Sequence, residues 1–329
     1  MTLINTELIF FEMLNSGGEN VMRDAAIEAA TAQIRRVQNG EVPSPVVCTF
    51  FDEATNTASH VVHCPVTRRA AIIDSVLDYD AAAGRTSNGS AQVIVEYVRR
   101  EGLTVDWQLE THAHADHLSA APWLQEQLGG QLGIGADIIR VQNVFGKIFN
   151  AGTRFARDGS QFDRLFRDGE TFSLGEIPVT VLHVPGHTPA DMAFVIGNSA
   201  FVGDTIFMPD FGTARADFPG GDARQLFQSI RRLLSLPPET RLFLCHDYKA
   251  PGRDEYAWLT TVALERECNI HVHDGISEDE FVSMRTTRDA TLAMPKLLMP
   301  SVQVNMRGGH MPEPEADGIS YIKIPVNRI

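Results

Sequence analysis

Three imidazoles and a carboxylate fall within one short run, Thr111-His112-Ala113-His114-Ala115-Asp116-His117. Imidazole nitrogens and carboxylate oxygens are the usual ligands of transition metals. Four such groups this close would repel or stay unsatisfied without a cation. A histidine-rich surface turn is the plainer explanation, but it leaves the later ligand-type residues His187, Asp204 and His246 unaccounted for. Each of these follows directly on an apolar run. The chemistry implied is metal-assisted activation of water or of a substrate.

Strands must position these groups. Val105 to Leu109 reads as the strand entering the first cluster, and Ile177 to Val184 delivers Pro185-Gly186-His187-Thr188-Pro189. Met192 to Ile196 and Ala200 to Val202 form a hairpin over Gly197-Asn198 and deliver Gly203-Asp204-Thr205. Arg241 to Cys245 delivers His246-Asp247-Tyr248. Sites in open α/β architectures gather beyond the carboxyl ends of strands, so the pattern is geometrically coherent. Upstream, 46–51 and 59–62 read as antiparallel strands joined by a polar turn, and 70–73 runs into Asp74, a candidate acceptor for the cluster. Residues 79–90 read as a loop, and Asp168-Gly169 as a hairpin-type turn.

Helical spacing places helices over 91–100, over 119–128, after Asp222 with Leu226, Phe227, Ile230, Leu233 and Leu234 on one face, and over 254–268. Ser277 and Glu280 form a capping box that opens another helix. His60, His63, His271 and His273 read as structural, and Arg307-Gly308-Gly309-His310 is too weak a pattern to be an anion loop. The tail from Met294 carries four prolines and short strand-like runs.

The chain divides into an N-terminal helical extension (1–43), a catalytic domain (44–290) and a C-terminal extension packed on the core (291–329). Its 329 residues carry a net charge of −14, which argues against nucleic acid or an anionic membrane as partner. The apolar patch Leu8 to Phe11 is too short to cross a bilayer, and no signal peptide is visible. Four scattered cysteines without Cys-x-x-Cys spacing fit a reduced, cytoplasmic protein. The apolar face formed by Ala26, Ala30, Ile34 and Val37 fits packing on the main body and leaves a homodimer open.

The joint pattern His-x-His-x-Asp-His, Pro-Gly-His-Thr, Gly-Asp and a final His resembles the metallo-β-lactamase fold superfamily over about residues 46–265. The resemblance implies an α+β fold, an αβ/βα sandwich of two mixed β-sheets with helices on the outer faces and metal at one edge. Two metals would be held by His112, His114 and His187 and by Asp116, His117 and His246, with Asp204 bridging, as in thioester hydrolases of glyoxalase II type. The same residues allow a single Fe(II) per chain on His112, His187 and Asp204, with His114, Asp116, His117 and His246 orienting those ligands.

The stretches Thr111 to His117, Pro185 to Pro189, Gly203 to Thr205, Thr213-Ala214-Arg215-Ala216-Asp217-Phe218 and His246 to Tyr248 resemble the persulfide dioxygenases. That resemblance implies oxidation of glutathione persulfide with O2 and water to sulfite and glutathione. It carries substrate contact onto Arg215 and a pocket role onto Tyr248. An ion pair with Asp210 or Asp217 is the plainer role for Arg215, and packing is the plainer role for Tyr248. A binuclear zinc or iron thioester hydrolase is the alternative reading. A persulfide carrier or sensor would need an exchangeable thiol, for which Cys245 is the candidate.

Overall fold

The structure, a computed structural model, describes residues 24–328. The patch Leu8 to Phe11 therefore lies outside the described residues. The first half of the fold runs α1 (Ala25–Gln38), β1 (Val46–Asp52), β2 (Thr57–His63), β3 (Arg69–Ile73), β4 (Val76–Asp80), β5 (Arg85–Ser87), α2 (Gly89–Arg100), β6 (Thr104–Leu109), β7 (Leu118–Ser119), α3 (Ala121–Leu128), β8 (Gln131–Gly135), α4 (Ile138–Ile148) and β9 (Arg164–Phe166). The second half runs β10 (Thr171–Leu174), β11 (Ile177–His183), β12 (Met192–Ile196), β13 (Ser199–Phe201), α5 (Ala223–Leu233), β14 (Arg241–Phe243), β15 (Leu259–Thr261), α6 (Val262–Cys268), α7 (Glu278–Asp289) and α8 (Leu298–Asn305).

Two six-stranded sheets pack face to face, ordered β1-β2-β3-β6-β8-β9 and β10-β11-β12-β13-β14-β15. Both are mixed: β3, β6, β8 and β9 pair in parallel, as do β13 and β14, and the remaining pairings are antiparallel. Between them Val62, Ala71, Ile73 and Leu109 meet Val179, Val181, Phe194 and Phe201 in one buried apolar layer. Sheets buried on both faces need apolar residues on both, which β12 supplies along its whole length as Met-Ala-Phe-Val-Ile. Helices α2 and α3 cover the first sheet through Ile94, Val98 and Leu124. Helices α1 and α5 cover the second through Ala30, Ile34, Leu226 and Ile230. This is the sandwich expected from the sequence.

Helix α1 is capped by Asp24, whose carboxylate accepts from the backbone N–H groups of Ala26 and Ile27 at 3.1 Å each. Its Gln33 is buried and donates to the carbonyls of Val195 and Gly197, which fixes the helix on the second sheet. Asp222 caps α5, and Ser277 and Glu280 make both bonds of the capping box on α7. No helix among the described residues is long and apolar enough to cross a membrane.

Four local expectations are corrected. Residues 79–90 are not all loop, because β5 returns on β4 in a short hairpin. Asp168-Gly169 closes no hairpin; it hands the chain from β9 in one sheet to β10 in the other, with Asp168 accepting from the backbone N–H of His183 at 2.8 Å. The span 254–268 is not one helix, since the β-branched Thr260 and Thr261 pair with β14 before Thr261 caps α6. The tail forms the helix α8 rather than strands; Pro300 sits in its first turn, where its missing N–H has no partner to lose.

Candidate metal centre

The strand ends β3, β6, β11, β13 and β14 bring their following residues to one edge of the sandwich. Two glycines make the approach possible. Gly186 has φ +146°, and a Cβ there would fall 2.3 Å from the Leu226 backbone. Gly203 has φ +52°, and its Cβ would fall 2.5 Å from Thr111 Oγ1. A side chain at either position would push His187 or Asp204 off the site.

Each histidine of the cluster has its outer nitrogen occupied. His112 Nδ1 donates to Thr111 Oγ1 at 3.0 Å, and that hydroxyl donates to Asp74 at 2.9 Å. His187 Nδ1 donates to the Arg215 carbonyl at 2.8 Å, and His246 Nδ1 to the Asn56 carbonyl at 3.1 Å. His117 Nδ1 lies 3.3 Å from Asp116 Oδ1. His114 is turned the other way, its Nε2 donating to Asp74 and Glu110 at 3.0 Å each. These partners fix ring orientation, so the opposite nitrogen of every ring is aimed inward.

Those inward atoms are buried and make no hydrogen bond: His112 Nε2, His114 Nδ1, Asp116 Oδ2, His117 Nε2, Asp204 Oδ1 and His246 Nε2. Buried polar atoms without hydrogen bonds are expensive, and six gathered at one edge of the sandwich fit bound cations. The donors fall into two groups, His112 with His187 and Asp204, and His114 with Asp116, His117 and His246, each set mutually within 4.8 Å. Asp204 joins them: its Oδ2 lies 3.6 Å from His187 Nε2 and its Oδ1 lies 3.3 Å from His246 Nε2.

The electrostatics agree with metal binding. Burial, reinforced by the neighbouring imidazoles, pushes the His112 pKa well below the ordinary range, which leaves the neutral ring that ligation needs. At His114 burial works against charge, but Asp74 and Glu110 raise its pKa well above the usual value, so in the metal-free protein the inward Nδ1 holds a proton that ligation would have to displace. Burial likewise opposes charge at Asp116, yet the charges of His246 and His117 hold its carboxyl low and ionised. Asp191, buried behind His187, is raised to about 6 by burial and accepts hydrogen bonds from both the N–H and the hydroxyl of Thr188, which fixes the His187 loop.

Above the first group lies a cavity of about 870 Å3 whose lining includes His187, Asp204, Asp116, Phe207, Phe218 and Tyr248. Arg215 is on its wall, but its guanidinium is engaged bidentately by Asp217 at 2.6 and 2.8 Å and donates to the Ala293 carbonyl at 2.7 Å. Tyr248 stacks on His246 with ring centroids 5.9 Å apart, and Phe211 lies 5.2 Å from it. Arg288 and Lys296 also line the cavity, and their side chains make no hydrogen bond or ion pair with the described residues. Cys245 is buried, with its sulfur near the Asp204 and His246 donors, and does not line the cavity.

All seven donor-type residues of the sequence pattern meet here together with Asp74, which sits at φ +53° with its carboxylate turned to the Thr111 N–H at 2.8 Å. Glu110 joins them unanticipated, although a carboxylate four residues before His114 is a usable signal in the sequence. Asn305 is unanticipated too; it is buried against the same segment from far along the chain and leaves no local signal. His60, His63, His271 and His273 stand apart from the donors: His60 bridges Thr49 and the Leu244 carbonyl, His63 lies near the Cys64 carbonyl, His271 near the Thr213 hydroxyl, and His273 near the Asp274 carbonyl.

Fold and donors together define a metal-dependent enzyme built on two back-to-back sheets. The sequence profile described as the metallo-beta-lactamase superfamily matches residues 54–246, and the chain belongs to that superfamily. It is 55% identical to a probable metallo-hydrolase of Burkholderia pseudomallei, over 85% of this chain and 98% of that one. It is 48% identical to glyoxylase B2 of Dictyostelium discoideum, over 84% of this chain and 96% of the relative. The human mitochondrial persulfide dioxygenase ETHE1 is 26% identical over 88% of this chain and 98% of its own length. Among solved structures, ETHE1 from Myxococcus xanthus superposes with a TM-score of 0.64 at 28% identity, over 80% of this chain and all of that one.

Proposed function

We propose that the chain is an iron-dependent persulfide dioxygenase, oxidising a low-molecular-weight persulfide such as glutathione persulfide with O2 and water to sulfite and the free thiol. One observation carries this reading. His112, His187 and Asp204 form a compact set of two imidazoles and one carboxylate, and the side of the set away from the protein faces the large cavity. Ferrous iron held there would supply adjacent open positions and a donatable electron, chemistry that zinc does not offer.

The chain's own residues do the rest. The Asp74–Thr111 pair holds His112 in its ligating tautomer, and the Arg215 carbonyl does the same for His187. Phe207, Phe218 and Tyr248 wall the cavity and limit water beside the reacting sulfur. Arg288 and Lys296, uncommitted at the same wall, suit the carboxylates of an anionic thiol carrier, a task for which Arg215 is already occupied. No protein nucleophile is required. Burial, together with the nearby Asp74 and Asp204 charges, drives the Cys245 thiol well above its usual range, which weighs against a carrier or sensor built on that residue.

A second reading, a binuclear thioester hydrolase of glyoxalase II type, is favoured by the second donor group and by the names of the more similar relatives. The two readings separate in one experiment: anaerobic purification with metal analysis, then an oxygen electrode trace on fresh glutathione persulfide beside an assay of lactoyl-glutathione hydrolysis. One iron per chain with oxygen uptake is the expected result. Two metals per chain with thioester turnover and no oxygen consumption would overturn it.

A further inference from the structure

The segment carrying His114, Asp116 and His117 is itself held from outside the catalytic strands. Asn305 is the last residue of α8, 96% buried, and its side-chain amide bonds the backbone of this segment three times. Its Nδ2 donates to the His114 carbonyl at 2.9 Å and to the His117 carbonyl at 2.8 Å, while its Oδ1 accepts from the Ser119 N–H at 2.9 Å. Both amide hydrogens and the carbonyl oxygen are thus used, and the three backbone groups span the turn that aims three of the donors. The helix is in turn fixed to the body: Leu298, Val302 and Met306 are buried in the same apolar cluster as Ala113 and Ala115, and Gln142 donates to the Met306 carbonyl at 3.0 Å.

We infer that Asn305 is a positioning residue of the metal centre, and that the C-terminal helix serves as a template for the metal-binding turn. The physical reason is the residue type. Two buried carbonyls and one N–H must be satisfied by one group, and only a carboxamide presents two donors and an acceptor in that arrangement. Removing it leaves the carbonyls of two donor-bearing residues buried without partners, and the turn gains a reason to reorganise. His114 and His117 then lose the fixed approach of their inward nitrogens. The inference is independent of which reaction the centre catalyses, because it concerns the geometry of metal capture.

The test titrates metal-free protein with Co(II) against a competing chelator and records the melting temperature of the same samples. Asn305→Ala is compared with Val304→Ala, a truncation of the adjacent buried apolar residue on α8. Asn305→Ala is expected to weaken Co(II) binding about 10- to 100-fold, the range seen when partners of metal ligands are removed. Val304→Ala is expected to lower the melting temperature and leave Co(II) affinity within about twofold, since it removes packing without touching the turn's hydrogen bonds. Asn305→Asp, of nearly equal volume but without the two donors, is the second variant should the alanine form fail to fold, with the same loss expected. Unchanged Co(II) affinity in the folded Asn305 variants, or equal loss in Val304→Ala, would overturn the assignment and reduce Asn305 to a packing residue.

Discussion

The two donor groups share Asp204 as a common corner but are held differently, and the difference separates ligand capture from substrate access. His112, His187 and Asp204 stand against the cavity, with His187 and Asp204 on its lining. His114, His117 and His246 lie deeper and are completely buried, while Asp116 of the same group reaches the cavity lining. The first group is oriented by single partners, a hydroxyl and a carbonyl. The second is braced by two carboxylates on His114, the Asn56 carbonyl on His246 and the Asn305 amide on the backbone. A group that must leave positions open for substrate is lightly held on one side, and a group that defines the floor is over-determined.

The largest effect should come from the group that borders the cavity through His187 and Asp204. His112→Ala, His187→Ala or Asp204→Ala is expected to abolish metal retention and lower turnover by about a thousandfold or more, measured by metal analysis and oxygen uptake together. His114→Ala and His246→Ala should keep appreciable metal and lose about 10- to 100-fold in rate, because in the single-iron reading they only orient the ligands. Equal loss of metal across all five variants would break the distinction and point to a paired centre.

A sharper contrast lies in the two carboxylates behind His114. Asp74 accepts from Thr111 as well as from His114, so it serves both groups, whereas Glu110 reaches only His114 and the Ser119 hydroxyl, the latter at 2.6 Å. Asp74→Asn is therefore expected to weaken metal binding by about 100-fold and Glu110→Gln by about tenfold. Chelator competition checks the order, and the reverse order would mean that His114 is the principal ligand.

At the mouth the effect should be smaller and confined to binding. Arg288→Ala and Lys296→Ala are each expected to raise KM for an anionic thiol substrate about tenfold with little change in kcat, the signature of a contact equal in ground and transition states. A fall in kcat at constant KM would move these cations from the mouth to the chemistry.

Much of this arrangement was legible before any coordinates, and the reason is local. The ligands sit immediately after strands, so spacing in the chain reports position in space, as in Pro185-Gly186-His187 and Gly203-Asp204. The sandwich was legible for the same reason, since β11, β12 and β13 are rich in apolar residues and β12 and β13 flank a Gly197-Asn198 turn. What escaped were partners that meet only through tertiary packing. Asn305 lies 191 positions from His114, and α8 is a short helix with a proline in its first turn, which reads as a broken tail. Thr260 and Thr261 were absorbed into a helix because helical spacing runs past them, while pairing with β14 decided otherwise.

The smallest expected effect on the metal, none at all, comes from a buried carboxyl outside both donor groups, which serves as the control for them. Glu265 on α6 is buried, accepts from Asn269 Nδ2 at 2.7 Å, and has its pKa raised to about 8, chiefly by burial. A raised carboxyl pKa means that the folded state binds the proton more tightly than the unfolded chain does. The corresponding stability is fully present below the ordinary glutamate pKa of about 4.3 and is lost as pH rises through about 8. The melting temperature should therefore fall between pH 5 and 8.5, by an amount corresponding to about 1–4 kcal/mol at the upper end. Glu265→Gln should flatten that slope while leaving metal content untouched. A variant that kept the full slope would assign it instead to the carboxylates of the donor groups, and metal loading of the wild type should then abolish it.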